Sequence, residues 1–267
     1  MSRSDKTKTS IISIATNEYL DYWFHLAKSI ESNCSDKTDI NLHLFTNDVI
    51  RARAWCAINL KMTVIFYLIE NYGWPNATLL RYKVMSSLRI AEISNIVAYI
   101  DADSLIVSKM KFGSLPYRDS NSMTLIRHPG YWRPASSPVF YAKNIRLLFR
   151  DILRMISHGG IGAWEKRRIS NAYVKRSSRK RYFCGGFWYG PKSEFFRMVT
   201  LLAANVESDS QKGIVAIWHD ESHLNNWASK NSFNSLDPSY CFAEEFHHLR
   251  DLNAKILAVK KPNKSDK

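Results

Sequence analysis

Two aspartates, separated by one residue, directly follow the apolar segment 96–100. They are Asp101 and Asp103. Alternate residues of a strand point to the same face, so a turn at the strand end lets both carboxylates approach one ion. Hard divalent cations prefer oxygen ligands and bridge carboxylates to phosphates. The pattern predicts a Mn²⁺ or Mg²⁺ site. The competing interpretation is a turn with two solvated aspartates.

A second cluster of polar residues lies in the segment 218–225, which reads W-H-D-E-S-H-L-N. Helical spacing places Glu221 on one face with the residues three and four positions later, where its carboxylate could face a reacting carbon. The competing interpretation is an acid-rich helix start, which the helix dipole favours. His219 and His223 are four residues apart, but the order H-E-x-x-H and a cysteine partner are both missing. We therefore do not expect zinc.

Two further segments have the composition of a binding site. The segment 184–190, C-G-G-F-W-Y-G, places glycines within an aromatic strand, which suggests close backbone approach to a bulky group. A strand bulge would explain it equally well. Near the start of a predicted helix, Arg81 and Lys83 could contact a phosphate, although a solvated helix face is the simpler interpretation.

Alternating apolar and amphipathic segments predict the elements that position these groups. Strands are predicted over 10–15, 41–46, 62–68, 96–100, 123–127 and 181–189. Helices are predicted over 18–32, 49–60, 76–93, 145–156, 191–206 and 217–229. The pattern indicates an α/β fold with a mainly parallel central sheet flanked by helices. Ligands of such sheets bind beyond the carboxyl ends of the strands, which places residues after Ala15 and after Ile100 at the site.

The charge of the chain favours anionic partners. The 267 residues carry a formal net charge of +14, and the segment 166–181 is rich in lysine and arginine. Such a charge attracts nucleotide diphosphates, nucleic acid or an anionic membrane. The four scattered cysteines favour a reducing compartment, and the apolar runs are too short for a signal peptide or a membrane span. We expect a cytoplasmic protein that can contact a membrane peripherally.

The motifs in their order resemble those of the family-six glycosyltransferases, which include the histo-blood-group A and B transferases, the α-1,3-galactosyltransferases and shorter bacterial relatives. The segment 218–225 is similar to the family signature without a mismatch, and 74–83 resembles its W-x-x-x-x-x-x-R-x-K stretch. The segments 165–173 and 239–241 resemble its E-R-R-x-x-S-A-A-Y and P-E-Y-C elements. The resemblance extends over residues 12–259.

This resemblance implies a single domain of the nucleotide-diphospho-sugar transferase fold called GT-A, spanning 1–267. Residues 1–110 would form the UDP-binding half, 111–255 the acceptor and catalytic half, and 256–267 a basic tail. The implied reaction transfers N-acetylgalactosamine or galactose from a UDP-sugar to the 3-hydroxyl of a galactoside in a glycan or glycolipid, with retention of the α configuration. Mn²⁺, or alternatively Mg²⁺, would assist.

The resemblance also implies roles for individual residues. Glu221 would be the catalytic carboxylate, and Asp101 and Asp103 would hold the metal. The donor would contact Ala15, Thr16, Tyr19, Trp74, Arg81, Asp101, Asp103, Cys184, Gly185, Gly186 and Asp220. The acceptor would contact His128, Tyr131, Trp132 and Trp218. A glycine at Gly186 would leave space for an acetamido group and so favour N-acetylgalactosamine.

Two departures from the family pattern bear on these expectations. The stretch 133–164 is longer than in the family, which suggests an unusual acceptor, and the basic C-terminal lid is shorter. Many bacterial members carry N-x-N and use no metal, whereas this chain keeps both aspartates. The alternatives are an inactive carbohydrate-binding relative, a basic nucleic-acid-binding protein, and a peripheral enzyme acting on a lipid-linked acceptor. A covalent intermediate, an oxocarbenium-like state and front-face attack all remain open.

Overall fold

The strands lie in a large mixed sheet and a small accessory pair. The structure is a computed structural model that describes residues 8–73, 75–89, 93–116, 119–134 and 137–260. The strands are β1 Thr9–Ile14, β2 Ile40–Thr46, β3 Thr63–Leu68, β4 Ile96–Ile100, β5 Ser104–Ile106, β6 Thr124–Arg127, β7 Phe183–Pro191, β8 Asn234–Leu236 and β9 Ile256–Ala258. The large sheet has the order β3-β2-β1-β4-β7-β6-β8, and β5 pairs with β9.

The sheet is mainly parallel. Strands β3, β2, β1 and β4 run parallel, β6 and β8 run parallel to each other, and β7 alone is antiparallel to its neighbours β4 and β6. The predicted α/β fold is therefore confirmed. Because β1 to β4 are parallel, their carboxyl ends share one edge, and the loops after β1, β2 and β4 meet there.

Helices cover both faces of the sheet. They are α1 Tyr19–Asn33, α2 Val49–Asn59, α3 Asn76–Leu79, α4 Arg81–Ser86, α5 Ser137–Lys143, α6 Ile145–His158, α7 Lys192–Gln211 and α8 His219–Ala228. The neighbouring β1 residues Ile11 and Ile12 belong to different apolar clusters, one with α1 and α2 and the other with α4, α7 and α8. Alternation along a strand thus explains why β1 is apolar on both faces.

One predicted helix is wrong in its extent. The segment 76–93 forms two short helices that divide at Leu80, and α4 ends at Ser86. The hydroxyls of Ser86 and Ser87 donate to the carbonyls of Lys83 and Val84, three residues earlier, at 2.9 and 2.7 Å. These bonds compete with helix continuation, as serine hydroxyls do.

The short elements α5, β5, β8 and β9 were not predicted. Strand β7 starts at Phe183 and includes Pro191, which the sequence placed in the next helix, and α7 extends five residues beyond the predicted end, to Gln211. Across the residues that the structure describes, none of the helices has both the length and the apolar composition that crossing a membrane requires.

Candidate active site

The pairing of β4 with β7 brings the two aspartates next to the glycine segment. Ile100 pairs with Phe187, and the Asp101 N–H donates to the Gly186 carbonyl at 2.8 Å. The turn then closes through the Ser104 N–H, which donates to the Asp101 carbonyl. Residues separated by about eighty positions in the sequence therefore form one strand-end site.

Arg81, at the start of α4, connects three parts of this site. Its Nη1 lies 3.2 Å from Asp101 Oδ1 and 3.1 Å from Asp220 Oδ2, and it donates to the Gly185 carbonyl at 3.3 Å. The guanidinium also lies over the Tyr99 ring, 5.0 Å from the centroid. Burial opposes its charge, but Asp220, Tyr99 and Asp101 raise the pKa of Arg81 well above its usual value. The cation is thus permanent.

Glu221 lies on the first turn of α8 beside this cluster. Its Oε2 accepts the Gly185 N–H at 2.9 Å, and the Tyr182 hydroxyl also hydrogen-bonds to it. The side chain is 21% exposed, so one part of the carboxylate is open to a ligand. Burial raises the pKa of Glu221 to about 7, although both hydrogen bonds favour the ionised form. Perturbed carboxylates in a cleft are common among catalytic groups.

The neighbouring carboxylate, Asp220, is more deeply placed. Its side chain is 8% exposed and is paired with Arg81. Burial raises the pKa of Asp220 to about 7, even though Arg81 favours the carboxylate. His219, just before it, has φ +45°, a left-handed conformation that costs free energy in a residue with a side chain. The strained turn orients the two acids that follow.

The Asn225 side chain also joins helix α8 to β7. Asn225 accepts the Phe183 N–H and donates to the Phe183 carbonyl, both at 2.9 Å, and its side chain is buried. The side-chain amide thus pairs with the Phe183 backbone in the way that a neighbouring strand would. Since Asn225 is four residues from Glu221, this pair of bonds sets the distance between Glu221 and Gly185.

Two of the three glycines of β7, Gly185 and Gly186, lie close to carboxylates. A Cβ at Gly185 would lie 3.1 Å from Asp220 Oδ2, and a Cβ at Gly186 would lie 3.1 Å from Asp101 Oδ2. Either methyl group would displace an acid. The close backbone approach predicted for this segment is therefore an approach to the protein's own carboxylates.

Aromatic rings lie on the far side of Glu221. His128 Nε2 is 3.9 Å from Glu221 Oε1, and the His128 ring packs on Tyr131 and Tyr182, with centroids 4.7 and 5.7 Å away. Phe246 lies at the edge of this group. Burial lowers the pKa of His128 to about 4, so its ring is neutral near pH 7. The group offers flat apolar faces next to a carboxylate, which suits a sugar ring.

On the opposite side, a crevice opens between the first strand and α4. It is narrow, with a cavity volume of only ≈ 10 Å³, and it is lined by Ile14, Thr16, Ile69, Tyr72, Ala77, Leu80, Arg81 and Val84. Thr16 follows β1 and Ile69 follows β3, as expected for a ligand site at the carboxyl edge of parallel strands. Arg81 joins this crevice to the carboxylates.

The turn after β4 carries two acidic residues, Asp101 and Asp103. Asp101 is 31% exposed, and its Oδ1 is engaged by Arg81 and by the Tyr99 hydroxyl at 2.6 Å. Asp101 Oδ2 lies close to the Gly186 backbone, where a Cβ would be only 3.1 Å away. The Asp103 carbonyl accepts the Val259 N–H at 2.8 Å, so the segment after β9 holds the turn. Within the described ranges, no three histidine, cysteine or acidic side chains come together as a complete metal site. A ligand would have to supply the remaining oxygens.

Comparison with known proteins identifies the class of this site. The model of glycosyltransferase family 6 matches residues 160–266, which include 218–225 and the glycine segment. The O-antigen biosynthesis glycosyltransferase WbnI of Escherichia coli is 25% identical over 260 residues, 96% of each chain. These matches support a family-six glycosyltransferase.

Two animal proteins resemble this chain over shorter stretches. The histo-blood group ABO system transferase 1 of Rattus norvegicus is 38% identical over 100 residues, which are 37% of this chain and 29% of that protein. The globoside alpha-1,3-N-acetylgalactosaminyltransferase 1 of Homo sapiens is 31% identical over 78 residues, 29% and 22% of the two chains. The resemblance inferred from the motifs is thereby confirmed.

The structure of this glycosyltransferase brings together most of the predicted site residues. Arg81, Asp101, Gly185, Gly186, Asp220 and Glu221 form one cluster, and His128 and Tyr131 border it. Thr16 lines the crevice. Trp132 is half-buried beside Tyr131, and its backbone N–H donates to the His128 carbonyl at 2.9 Å. Tyr19, at the start of α1, packs against the first apolar cluster.

Other predicted residues lie apart from the open part of the site. Ala15 is completely buried and can offer a ligand only its backbone, and Cys184 packs in the same apolar cluster. Trp218 precedes α8 with 52% of its surface exposed. Trp74 lies outside the described residues. Because strand residues alternate, Cys184 points to the core while its neighbour Gly185 faces the acids.

Sequence reasoning missed three residues of the site. Tyr99 and Tyr182 hydrogen-bond to Asp101 and Glu221, respectively. Asn225 holds α8 to β7. A signal existed for two of them, because Tyr99 is two residues before Asp101 and Asn225 is four residues after Glu221. Tyr182 carries no such signal, since β7 approaches α8 only through the tertiary fold.

The second histidine of 218–225 has a structural partner. His223 Nε2 lies 3.8 Å from Asp209 Oδ2, and both side chains are 1% exposed. Asp209 also accepts hydrogen bonds from Ser170 and Asn171. This pair links α7 and α8 to the basic segment and lies away from the strand-end turn.

Proposed function

We propose that the chain is a retaining glycosyltransferase that moves N-acetylgalactosamine, or galactose, from a UDP-sugar to the 3-hydroxyl of a galactoside, forming an α linkage. One observation carries the proposal. The partly exposed Glu221 carboxylate lies between the Arg81–Asp101–Asp220 cluster and the His128–Tyr131 aromatic group. A transferase needs a group of this kind between its donor and its acceptor.

The donor diphosphate fits the side of the cluster that contains Arg81. The Arg81 Nε atom is buried and has no hydrogen-bond partner among the described residues. A buried unpaired donor is costly, so a phosphate or sugar oxygen at this position would be stabilised. The nucleoside would lie at the mouth of the adjoining narrow crevice, beside Thr16 and Tyr72.

A divalent cation fits the neighbouring turn. Asp101 and Asp103 would hold Mn²⁺ or Mg²⁺ together with oxygens of the diphosphate. When bound, the ion would neutralise the charge that develops on the departing UDP. The residues of the chain contribute by orientation: Tyr99 and Arg81 hold Oδ1 of Asp101.

Glu221 would act on the face of the sugar opposite UDP. The Gly185 N–H fixes Oε2, which leaves Oε1 on the side of His128. In that position the carboxylate stabilises positive charge at the anomeric carbon or bonds to it, as carboxylates do in retaining glycosidases. Asp220, held by Arg81, would bind hydroxyls of the donor sugar.

N-Acetylgalactosamine is the proposed donor sugar. The similar human protein is named as an N-acetylgalactosaminyltransferase, and the family resemblance implies that glycine at 186 favours the acetamido sugar. Hydrolysis of UDP-N-acetylgalactosamine and of UDP-galactose by the purified chain tests this choice. We expect faster release of UDP from the acetamido sugar, and a clear preference for UDP-galactose would reverse the assignment.

A donor and acceptor screen with Mn²⁺ and with EDTA tests the reaction. The Glu221→Gln variant should lose about 10²–10⁴-fold in turnover, because it removes the charge and keeps the shape. The control is Glu194→Gln, whose carboxylate pairs with Arg197 on the surface of α7. Equal turnover of Glu221→Gln and the wild type would eliminate Glu221 as the catalytic group, and full activity in EDTA would eliminate the metal.

A further inference from the structure

Helix α6 presents an apolar face to solvent. Ile145, Phe149, Ile152, Leu153 and Ile156 are 45–68% exposed, and Met155 is 54% exposed. Their spacing of three and four residues places the first five on one stripe of the helix. A surface helix of a globular protein normally turns such a stripe inward. Here the inward positions hold Asp151, which is buried, and Arg154, which is partly buried.

The edge of this stripe is entirely cationic. On α6 the exposed side chains of Arg146 and Arg150 lie one helical step from the apolar stripe, and Lys143 is exposed just before the helix. Between residues 137 and 181 the sequence has twelve lysines and arginines and only two acids, Asp151 and Glu165. Both acids are 2% exposed, so the surface of this part of the chain carries no negative side chain.

The basic segment 166–181 is docked onto the same helix. Arg176 Nη2 donates to the Ile156 carbonyl and Arg179 Nη1 to the His158 carbonyl, both at 2.6 Å, where α6 ends. Glu165 fixes the start of the segment by accepting the N–H groups of Lys166 and Arg167. The apolar stripe and the basic segment therefore belong to one continuous surface, which we call the α6 surface.

The α6 surface is attached to the aromatic side of the candidate active site. Arg154 lies over the Tyr131 ring, 4.9 Å from its centroid. Arg133, two residues after Tyr131, makes two bonds to the buried Asp151 carboxylate, at 2.6 and 2.9 Å. Whatever binds α6 is thus held next to the acceptor side of the site.

We propose that the α6 surface docks onto an anionic lipid bilayer. The apolar stripe enters the boundary between head groups and acyl chains, and the surrounding cations bind lipid phosphates. This inference rests on the proposed function for its consequence: the acceptor is a glycan carried on a lipid, presented at the membrane surface beside Tyr131. The charge decides against a second copy as the occupant, because a two-fold interface would bring two cationic edges together.

Vesicle co-sedimentation of the full chain tests the docking. The wild type should bind vesicles made of phosphatidylcholine and about a third phosphatidylglycerol. Binding should weaken when salt is added, and it should weaken when the vesicles contain phosphatidylcholine alone. The variant Phe149→Gln, Leu153→Gln, Ile156→Gln should bind at least about tenfold more weakly. The matched control is Ile50→Gln, Ile58→Gln, Leu68→Gln, which alters three apolar residues elsewhere that are even more exposed, and it should bind as the wild type does.

A second measurement separates this proposal from the proposed function. Release of UDP from the donor sugar and transfer to a water-soluble acceptor should be unchanged in the α6 variant, while transfer to the same glycan on vesicle lipid should fall. Vesicle binding without any transfer would leave the docking standing and refute the function. Equal vesicle binding by the wild type and the α6 variant, or a dimer that only this variant loses, would overturn the docking.

Discussion

Replacement of Arg81 by methionine tests whether one buried cation holds the site together. Methionine keeps much of the length and apolar volume of the arginine stem but removes the charge. The Asp220 carboxylate, 8% exposed, would then face Asp101 without a cation between them. The contacts at 3.1 and 3.2 Å and the position over Tyr99 would all be lost.

Removing one partner of a buried ion pair costs about 3–5 kcal/mol, because the remaining charge stays buried. At about 2–4 °C for each kcal/mol, this corresponds to a fall of roughly 6–20 °C in the melting temperature. The matched control is Arg197→Met, whose partner Glu194 is also an acid but whose side chain is 57% exposed. Such surface pairs contribute about 1 kcal/mol or less.

The loss of stability in Arg81→Met should depend on pH in a defined direction. The pKa of Asp220, about 7, lies above its unfolded value, so this group stabilises the fold most at low pH and loses that contribution as pH rises through about 7. Loss of Arg81 raises the pKa of Asp220 further. The stability deficit of Arg81→Met should therefore widen from pH 5 to pH 8.

Urea unfolding in EDTA, with wild type and variants at both pH values, provides the measurement, and EDTA prevents a cation from replacing Arg81. The double variant with Asp220→Asn should regain part of the lost stability, since both charges are then absent. An Arg81→Met protein within about 1 kcal/mol of the wild type at pH 8 would refute the buried-cation reasoning.

Three other substitutions have defined outcomes. Glu165→Gln should lower the free energy of unfolding in urea by about 2–4 kcal/mol. Hydrogen bonds hold the pKa of Glu165 to about 2, although burial opposes them. The stability advantage of the wild type should therefore disappear as pH falls from about 4.5 towards 2. Gly186→Ala should lower turnover about tenfold or more, since the methyl group would press on Asp101. Unchanged kinetics would show that Asp101 can shift without loss of activity. Asn225→Ala should lower the free energy of unfolding by about 2–4 kcal/mol, because the buried N–H and carbonyl of Phe183 lose their partner. An unfolding curve equal to that of the wild type would contradict this expectation.

Local patterns were enough to predict most of the first hundred residues. Strand β4 was predicted with its observed bounds, and β1, β2, β3, α1 and α2 within a few residues, because each combines a clear apolar period with turn residues at its ends. The helix predicted over 76–93 failed where hydroxyl groups competed for helix carbonyls. Short elements such as β8 and β9 have no period of their own and exist because a neighbouring strand pairs with them.

Sequence alone determined the chemistry of the site: two aspartates after a buried strand, a carboxylate in an eight-residue signature, and glycines in an aromatic strand. Tertiary structure decided how these groups are arranged. It placed Arg81 between Asp101 and Asp220, which a linear pattern does not specify, because the contact depends on β4, β7 and α8 meeting at one edge of the sheet. It also showed that Gly185 and Gly186 make room for the protein's own carboxylates. Exposure of the α6 stripe likewise follows only from the fold, since an apolar helical period is the same whether the stripe faces a core or solvent.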